Sequence, residues 1–128
     1  MISKNEVGEA VNKKTGLVVS SRASDYPDPL LLRAGDEVAI GVKKSEWPGW
    51  IWVTDGRGKS GWVPEAYLNA RGSDGTVLRD YDATELDVEK GEELVLYEEV
   101  AGWYWCTNKA GRSGWVPVEN LVLFEIHE

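Results

Sequence analysis

The sequence predicts an all-β protein composed of two small five-stranded barrels in tandem. Three observations support this fold class: an internal repeat, a composition rich in aromatic residues and glycine, and the absence of any long stretch with helical apolar spacing. The 128 residues include seven tryptophans, five tyrosines and 14 glycines. Valine and aromatic side chains favour half-buried strands, and glycine marks the turns between them.

The internal repeat is the strongest of these signals. Three blocks recur at offsets of 56, 53 and 53 residues: 30–38 with 86–94, 50–54 with 103–107, and Gly-Trp-Val-Pro at 61–64 with the same four residues at 114–117. Agreement of several blocks in order and spacing indicates a duplication, with one structural unit expected per copy.

Each copy is predicted to form a series of short strands. In the second copy these lie at 76–81, 93–98, 103–108, 113–117 and 121–124. Five short strands in about fifty residues protect their edges by curling into a barrel. The expected organisation is a flexible leader (1–16), barrel one (17–69), a polar linker (70–75), barrel two (76–124) and a C-terminal tail (125–128).

Charge and cysteine content narrow the class of protein. The formal net charge of −8 argues against nucleic acid and anionic membranes as partners, because both require a basic surface. Cys106 is the single cysteine, so no internal disulfide is expected. No apolar run has the length of a signal-peptide core or a membrane span, and the expected location is the cytoplasm.

Residues for catalysis are scarce. One histidine, near the end of the chain, and one cysteine support neither a nucleophilic triad nor a metal site of His and Cys. No glycine-rich phosphate-binding motif is present. The sequence therefore predicts a protein that is not an enzyme, with no metal and no cofactor.

The blocks of the second copy resemble those of an SH3 domain. Val77–Tyr81 is similar to the opening ALYDY motif of that family, 86–92 to its Leu-x-Phe-x-x-Gly-Asp block, Gly102-Trp103-Tyr104 to its Gly-Trp-Trp strand and 114–117 to its Gly-Tyr-Val-Pro motif. The resemblance covers 17–69 and 76–124 and suggests a bacterial variant SH3 protein. It implies an SH3-like barrel that binds proline-rich peptides in the polyproline conformation across aromatic ridges.

The resemblance also implies a set of groove residues in each copy. Alternation along the strand places Ile51 and Val53 inside the barrel, so Trp50 faces the groove, and Trp103 does so by the same argument. The candidate peptide-binding residues are Tyr81, Glu85, Trp103, Trp115 and Pro117 in the second copy, and Trp50, Trp62, Pro64 and Tyr67 in the first. Glu85 stands at the position of the family's selectivity carboxylate.

Neither copy carries a complete set of groove residues. In the second copy Arg79 replaces the first tyrosine of the opening motif and Asn120 replaces the closing tyrosine. In the first copy the departures are Ser20 and Arg22 at both opening tyrosines and Pro29 at the selectivity carboxylate. An alternative role for Trp50 and Trp103 is half-buried packing, and for Glu85 that of an ordinary solvated carboxylate.

Three functional hypotheses follow. The first is an interaction module that binds a proline-containing peptide, with or without Arg or Lys in it. The second is a structural or assembly module whose aromatic surfaces are used in a tandem or oligomer interface. The third is recognition of a cell-wall glycopeptide. Residues 76–124 contain ten acidic and four basic residues, against seven and six in 17–69, so the second copy is the better candidate for a basic peptide.

Overall fold

Short β-strands make up most of the structure. The computed structural model describes residues 12–24, 28–43, 45 and 47–127. Within these ranges the elements are β1 (Asn12–Val18), β2 (Leu31–Leu32), β3 (Glu37–Ile40), β4 (Trp50–Thr54), β5 (Ser60–Pro64), the 3₁₀ helix η1 (Glu65–Tyr67), β6 (Leu68–Arg71), β7 (Asp74–Val77), β8 (Tyr81–Asp82), β9 (Glu93–Val100), β10 (Trp103–Thr107), β11 (Ser113–Pro117), η2 (Val118–Asn120) and β12 (Leu121–His127). The all-β prediction is confirmed. In this part of the chain, no helix has the length and apolar character needed to cross a membrane.

The chain divides into two compact units. Residues 26–84 form one unit without interruption, and we call it the continuous unit. The split unit combines residues 1–25 with residues 85–128. Each contains a five-stranded sheet, with the order β5-β4-β3-β7-β6 in the continuous unit and β11-β10-β9-β1-β12 in the split unit. The short pair β2-β8 also belongs to the continuous unit.

The two units do not coincide with the two sequence repeats, because the repeats exchange a strand. In the continuous unit β7, from the second repeat, lies between β3 and β6 of the first repeat. In the split unit β1, from the first repeat, lies between β9 and β12 of the second. The registers are equivalent, since Val77 pairs with Leu68 and Val18 pairs with Leu121. The units therefore differ from the expected barrels at 17–69 and 76–124.

A tight turn accounts for this exchange. Residues 70–75, expected as a linker, instead form the end of β6, a two-residue turn and the start of β7, closed by the pair Arg71 and Asp74. Gly72 has a φ of 67°, which suits the first central position of a hairpin turn. Such a turn places consecutive strands side by side at little entropic cost. Strand β7 consequently pairs with β6 instead of joining the rest of its own repeat.

The predicted leader and tail contribute strands to the split unit. Residues 12–16 of the leader belong to β1, and residues 125–127 of the tail belong to β12. These two segments pair with each other, with Lys14 opposite Glu125 in the register. Residues 1–11 and 128 lie outside the described part of the chain. The extended pairing lengthens the sheet beyond the boundaries that the sequence suggests.

The core of the split unit mixes residues from both repeats. Val18 of β1 is buried in one cluster with Leu86, Val88, Leu94, Leu96, Tyr104, Cys106, Val116 and Leu121. Val77 of β7 is buried in the continuous unit in the same way. Burial of an aliphatic side chain of this size stabilises a fold by about 1.5–3 kcal/mol. Each unit therefore depends on a strand that the other repeat provides.

The repeated Gly-Trp-Val-Pro motif shapes the last strand before each 3₁₀ helix. Val63 and Val116 are both 0% exposed, and the prolines that follow them are fully buried. A Cβ atom at Gly61 would lie 3.1 Å from the Cβ atom of Leu30. At Gly114 it would lie 2.7 Å from the backbone nitrogen of Leu86. Glycine thus allows a neighbouring segment to approach, and valine fills the core.

Because the repeats exchange a strand, we expect an isolated structural unit to be stable and an isolated sequence repeat to be unstable. A fragment of residues 26–84 should fold on its own, because all strands of its sheet are present. A fragment of residues 17–69, of similar length, should not fold, because it lacks β7 and both partner strands of β1, which are β9 and β12. Far-UV circular dichroism during urea titration, with the full chain as reference, distinguishes the two. A cooperative transition in 17–69 and none in 26–84 would contradict the observed topology.

The two motif glycines give a matched pair of substitutions. Gly114→Ala should destabilise the protein by about 1–3 kcal/mol, because the methyl group would collide with backbone that has no easy way to move. Gly61→Ala should cost less, because its nearest contact, at 3.1 Å from the Cβ atom of Leu30, is relieved by a shift of a few tenths of an ångström. Denaturant unfolding of both variants measures the difference. An equal loss of stability in the two variants would refute the stated cause.

Candidate functional site

The predicted groove residues fall into two sets, one in each unit. Five of them belong to the continuous unit: Trp50, Trp62, Pro64, Tyr67 and Tyr81. The other four belong to the split unit: Glu85, Trp103, Trp115 and Pro117. Tyr81 belongs to the second copy in the sequence but lies in the continuous unit, which consists mostly of the first copy. The exchange therefore brings Tyr81 together with the aromatic residues of the first copy.

In the continuous unit, strands β4 and β5 present a row of tryptophans on one face. Trp50 pairs with Pro64, and Trp52 pairs with Trp62, so alternation places these side chains on the same side of the sheet. The three indoles are half-buried, whereas Val53 and Val63 on the opposite face are buried. The rings of Trp52 and Trp62 lie 5.0 Å apart at an interplanar angle of 70°. The expected orientation of Trp50 relative to the inward valine is observed.

Two tyrosines extend this row of aromatic residues. The rings of Tyr67 and Tyr81 are 5.6 Å apart, edge to face, and both residues are buried, so they support the row from below more than they line its surface. The hydroxyl group of Tyr81 donates a hydrogen bond of 2.9 Å to the carbonyl oxygen of Trp62. The guanidinium of Arg79, at the position of the first motif tyrosine, lies 4.5 Å from the centre of the Tyr67 ring. The opening and closing tyrosines that no single copy possesses are thus found together in one unit.

A lysine lies beside the same face. The ammonium group of Lys43 is 4.1 Å from the centre of the Trp52 ring and 5.7 Å from that of Trp62. An ammonium group at this distance interacts favourably with the negative face of an indole. No pattern in the sequence singles out Lys43, because a lysine in a loop carries no signal of the rings that it contacts in the fold. Its position gives this end of the aromatic row a positive charge.

In the split unit, the equivalent residues are covered. Trp103 is 6% exposed and Trp115 is 4% exposed, whereas Trp50 and Trp62 of the continuous unit are half-buried. Trp103 was expected to face an open groove. It does lie on a strand whose next residue, Tyr104, points into the core, but the guanidinium of Arg22 lies 4.9 Å from the centre of its ring. The alternative for this tryptophan, a packing role, describes it better than an open groove wall, and Trp103 is more deeply buried than that alternative expects.

Polar contacts within the split unit fix the positions of Arg22 and Ser20. The Nη1 atom of Arg22 is 2.7 Å from Oε1 of Glu85. Asn120, in place of the closing tyrosine, is buried, and its Nδ2 donates hydrogen bonds to the backbone oxygen and to Oγ of Ser20. Ser20 and Arg22, which stand in place of the two opening tyrosines in the first copy, thus have polar partners in the split unit. The short turn at Gly72 was the signal in the sequence that could have indicated this exchange.

The registers show which residues of the two units are equivalent. Leu32 pairs with Tyr81 in the continuous unit, and Val88 pairs with Arg22 in the split unit. Leu32 and Val88 occupy the same position in the aligned repeats. Arg22 is therefore the counterpart of Tyr81. A tyrosine gives one unit an aromatic site, and an arginine gives the other an ion pair.

The described residues include few groups that could support covalent or metal chemistry. Burial raises the pKa of the Cys106 thiol to about 12, so this residue is protonated at neutral pH. Across the described residues, no group of three or more His, Cys, Asp or Glu side chains is arranged to hold a metal ion. The aromatic surface of the continuous unit is the candidate site.

Comparison with known families agrees with this geometry. The family model described as variant SH3 domain matches the chain twice, over residues 12–70 and 75–124. No curated protein and no solved structure matches the chain significantly. SH3 domains are generally protein-interaction modules and are typically non-catalytic. The two matches follow the repeats of the sequence, and the structure redistributes their strands between the two units.

The hydrogen bond from Tyr81 to Trp62 can be tested by removing one oxygen. Tyr81→Phe should lower the stability of the protein by about 1 kcal/mol, because the bond is lost while the ring remains. Tyr97→Phe is the matched control, since Tyr97 is exposed and should change stability by less than about 0.5 kcal/mol. Urea unfolding measures both. Equal effects in the two variants would show that the Tyr81 bond does not stabilise the unit.

Proposed function

The chain belongs to the variant SH3 domain family, and on this premise we propose that its continuous unit binds a proline-containing peptide. One observation carries the proposal: the exchange between the repeats places Tyr81, on β8, next to Tyr67, at 5.6 Å, in the unit that contains Trp50, Trp62 and Pro64. These five residues match the groove positions of the family. No single repeat of the sequence supplies them all.

The chemistry of a polyproline segment suits this surface. A polyproline helix has three residues per turn and no internal hydrogen bonds, so it presents regular apolar ridges and free carbonyl oxygens. Aromatic rings offer flat contact area for the ridges, and an indole N–H can donate to a carbonyl oxygen. The half-buried indoles of Trp50 and Trp62 provide flat contact area of this kind.

The charge at this surface favours a peptide without a basic residue at the Lys43 end. Glu85, expected to select Arg or Lys, belongs to the split unit and is paired with Arg22. In the continuous unit its counterpart in the alignment is Pro29. Lys43 lies over Trp52 and Trp62 and repels a like charge. The proposed ligand is therefore a neutral proline-containing segment, and a basic one should bind less tightly.

A second role, structural, is favoured for the split unit. Trp103 and Trp115 are buried, and the side chain of Arg22 covers the first of them. Aromatic residues buried in this way stabilise a fold through their contact area. The two units would then have different tasks, peptide binding in one and structural support in the other.

A titration tests the peptide-binding role. A short peptide of proline and alanine with PxxP spacing, added to the ¹⁵N-labelled chain, should shift the indole resonances of Trp50 and Trp62 and the amides near Tyr81. Trp50→Ala should weaken binding by tenfold or more, because an interface tryptophan typically contributes about 2 kcal/mol or more. Replacing one alanine by arginine should lower the affinity.

The control is an aromatic residue outside the site. Tyr97 of the split unit is exposed, and Tyr97→Ala should leave the affinity unchanged. Thermal unfolding of both variants checks that each remains folded. Absence of any shift at millimolar peptide, or equal affinity in the wild-type protein and in Trp50→Ala, would contradict the proposal.

A further inference from the structure

The last strand of the split unit carries a run of exposed apolar side chains. Val122, Leu123 and Phe124 of β12 are 53%, 40% and 43% exposed. Strand β12 ends the five-stranded sheet, and in the ranges that the structure describes β1 is its only neighbour. An edge strand with consecutive exposed apolar residues offers backbone groups and apolar contact area to another strand.

Backbone hydrogen bonds show which groups of β12 point away from β1. The N–H of Val19 donates to the carbonyl oxygen of Asn120 at 2.8 Å, at the start of the ladder between β1 and β12. In an antiparallel ladder, consecutive residues direct their backbone groups to opposite edges of the strand. Val122 and Phe124, an even number of residues after Asn120, therefore direct theirs towards β1. The N–H and C=O of Leu123 point to the outer edge of the sheet.

The equivalent edge of the continuous unit is polar. Leu68 of β6 and Leu121 of β12 occupy equivalent positions in the two registers. The three residues after Leu68 are Asn-Ala-Arg at 69–71, whereas the three after Leu121 are Val-Leu-Phe at 122–124. Strand β6 also ends its sheet, and an edge that carries a charge resists pairing with another strand. The fold therefore does not require apolar residues at this edge, which favours a binding role for β12.

We propose that β12 pairs antiparallel with β12 of a second copy of this chain. A two-fold axis through Phe124, the central residue of the strand, brings all seven residues into register. Phe124 then lies opposite its own copy and Val122 lies opposite Ile126, so apolar residues face each other across the axis. Glu125 lies opposite Leu123, where the outward backbone groups form the new hydrogen bonds and no like charges meet. The edge is thus complementary to itself, and this favours a second copy over an unrelated strand.

The area of this interface predicts a weak dimer. A strand of seven residues is about 24 Å long, and pairing along one edge buries on the order of 300 Å² per copy, against roughly 800 Å² per partner in a stable complex. Each copy also carries a formal net charge of −8, so two copies repel each other at low salt. We expect a monomer at micromolar concentration and a dimer at millimolar concentration in physiological salt. The interface lies in the split unit and does not involve the proposed peptide site.

Sedimentation equilibrium of the full chain tests the association. Val122→Lys should raise the dissociation constant of the dimer at least tenfold, because it places a charge on the paired edge. Tyr97→Lys is the matched control, since it adds the same charge at an exposed side chain of β9, an inner strand of the same sheet, and should dimerise as the wild-type chain does. A wild-type chain that stays monomeric at millimolar concentration would overturn the proposal. So would an equal effect of the two substitutions.

Hydrogen exchange of the wild-type chain identifies the backbone contact without any variant. The amide of Leu123 points to the outer edge, so its protection should rise with protein concentration. The amides of Val122 and Phe124 point towards β1, and their exchange should change little. Protection of Leu123 already at micromolar concentration would mean that the edge is covered within one chain. An unprotected Leu123 amide at millimolar concentration would leave the edge to a strand of another protein. Either result would rule out pairing with a second copy, whether or not the continuous unit binds a peptide.

Discussion

The structure depends on the two-residue turn between β6 and β7. Gly72 and Ser73 connect two strands that pair along their whole length, from Leu68 opposite Val77 to Arg71 opposite Asp74. Closing so short a loop costs little conformational entropy, whereas pairing β7 with the end of its own repeat would close a loop of several tens of residues. Local pairing determines that β7 completes the first unit, and β1 then completes the second.

This constraint determines which residues face each other across each aromatic surface. Tyr81 and Arg22 occupy equivalent positions, and the exchange delivers each of them to the unit made mostly from the other repeat. A tyrosine placed against Tyr67 produces an aromatic site. An arginine placed against Trp103 and Glu85 produces an ion pair stacked on an indole. Two units of the same fold thus differ at equivalent positions: one has a pair of tyrosines there, and the other has an arginine paired with a glutamate.

Much of the fold could be predicted from local patterns. Alternation within Trp50–Thr54 and within the Gly-Trp-Val-Pro motif identified Val53, Val63 and Val116 as core residues, and all three are buried. The candidate site was predicted less completely. The tryptophans and Tyr67 were identified, but the expected openness around Trp103 was wrong because Arg22 lies over it. Lys43 was missed, since a loop lysine carries no signal of the ring on which it lies.

The sequence alone determined that this is a duplicated all-β protein, where most of its strands lie, and which side of most of them faces inward, because these properties follow from residue type and from period-two alternation. Only the tertiary structure decided which strands share a sheet. Strand pairing is a non-local choice that depends on the relative cost of closing competing loops, and alternation within a strand contains no information about its neighbour. For the same reason, only the tertiary structure gave Tyr81 and Arg22 their partners.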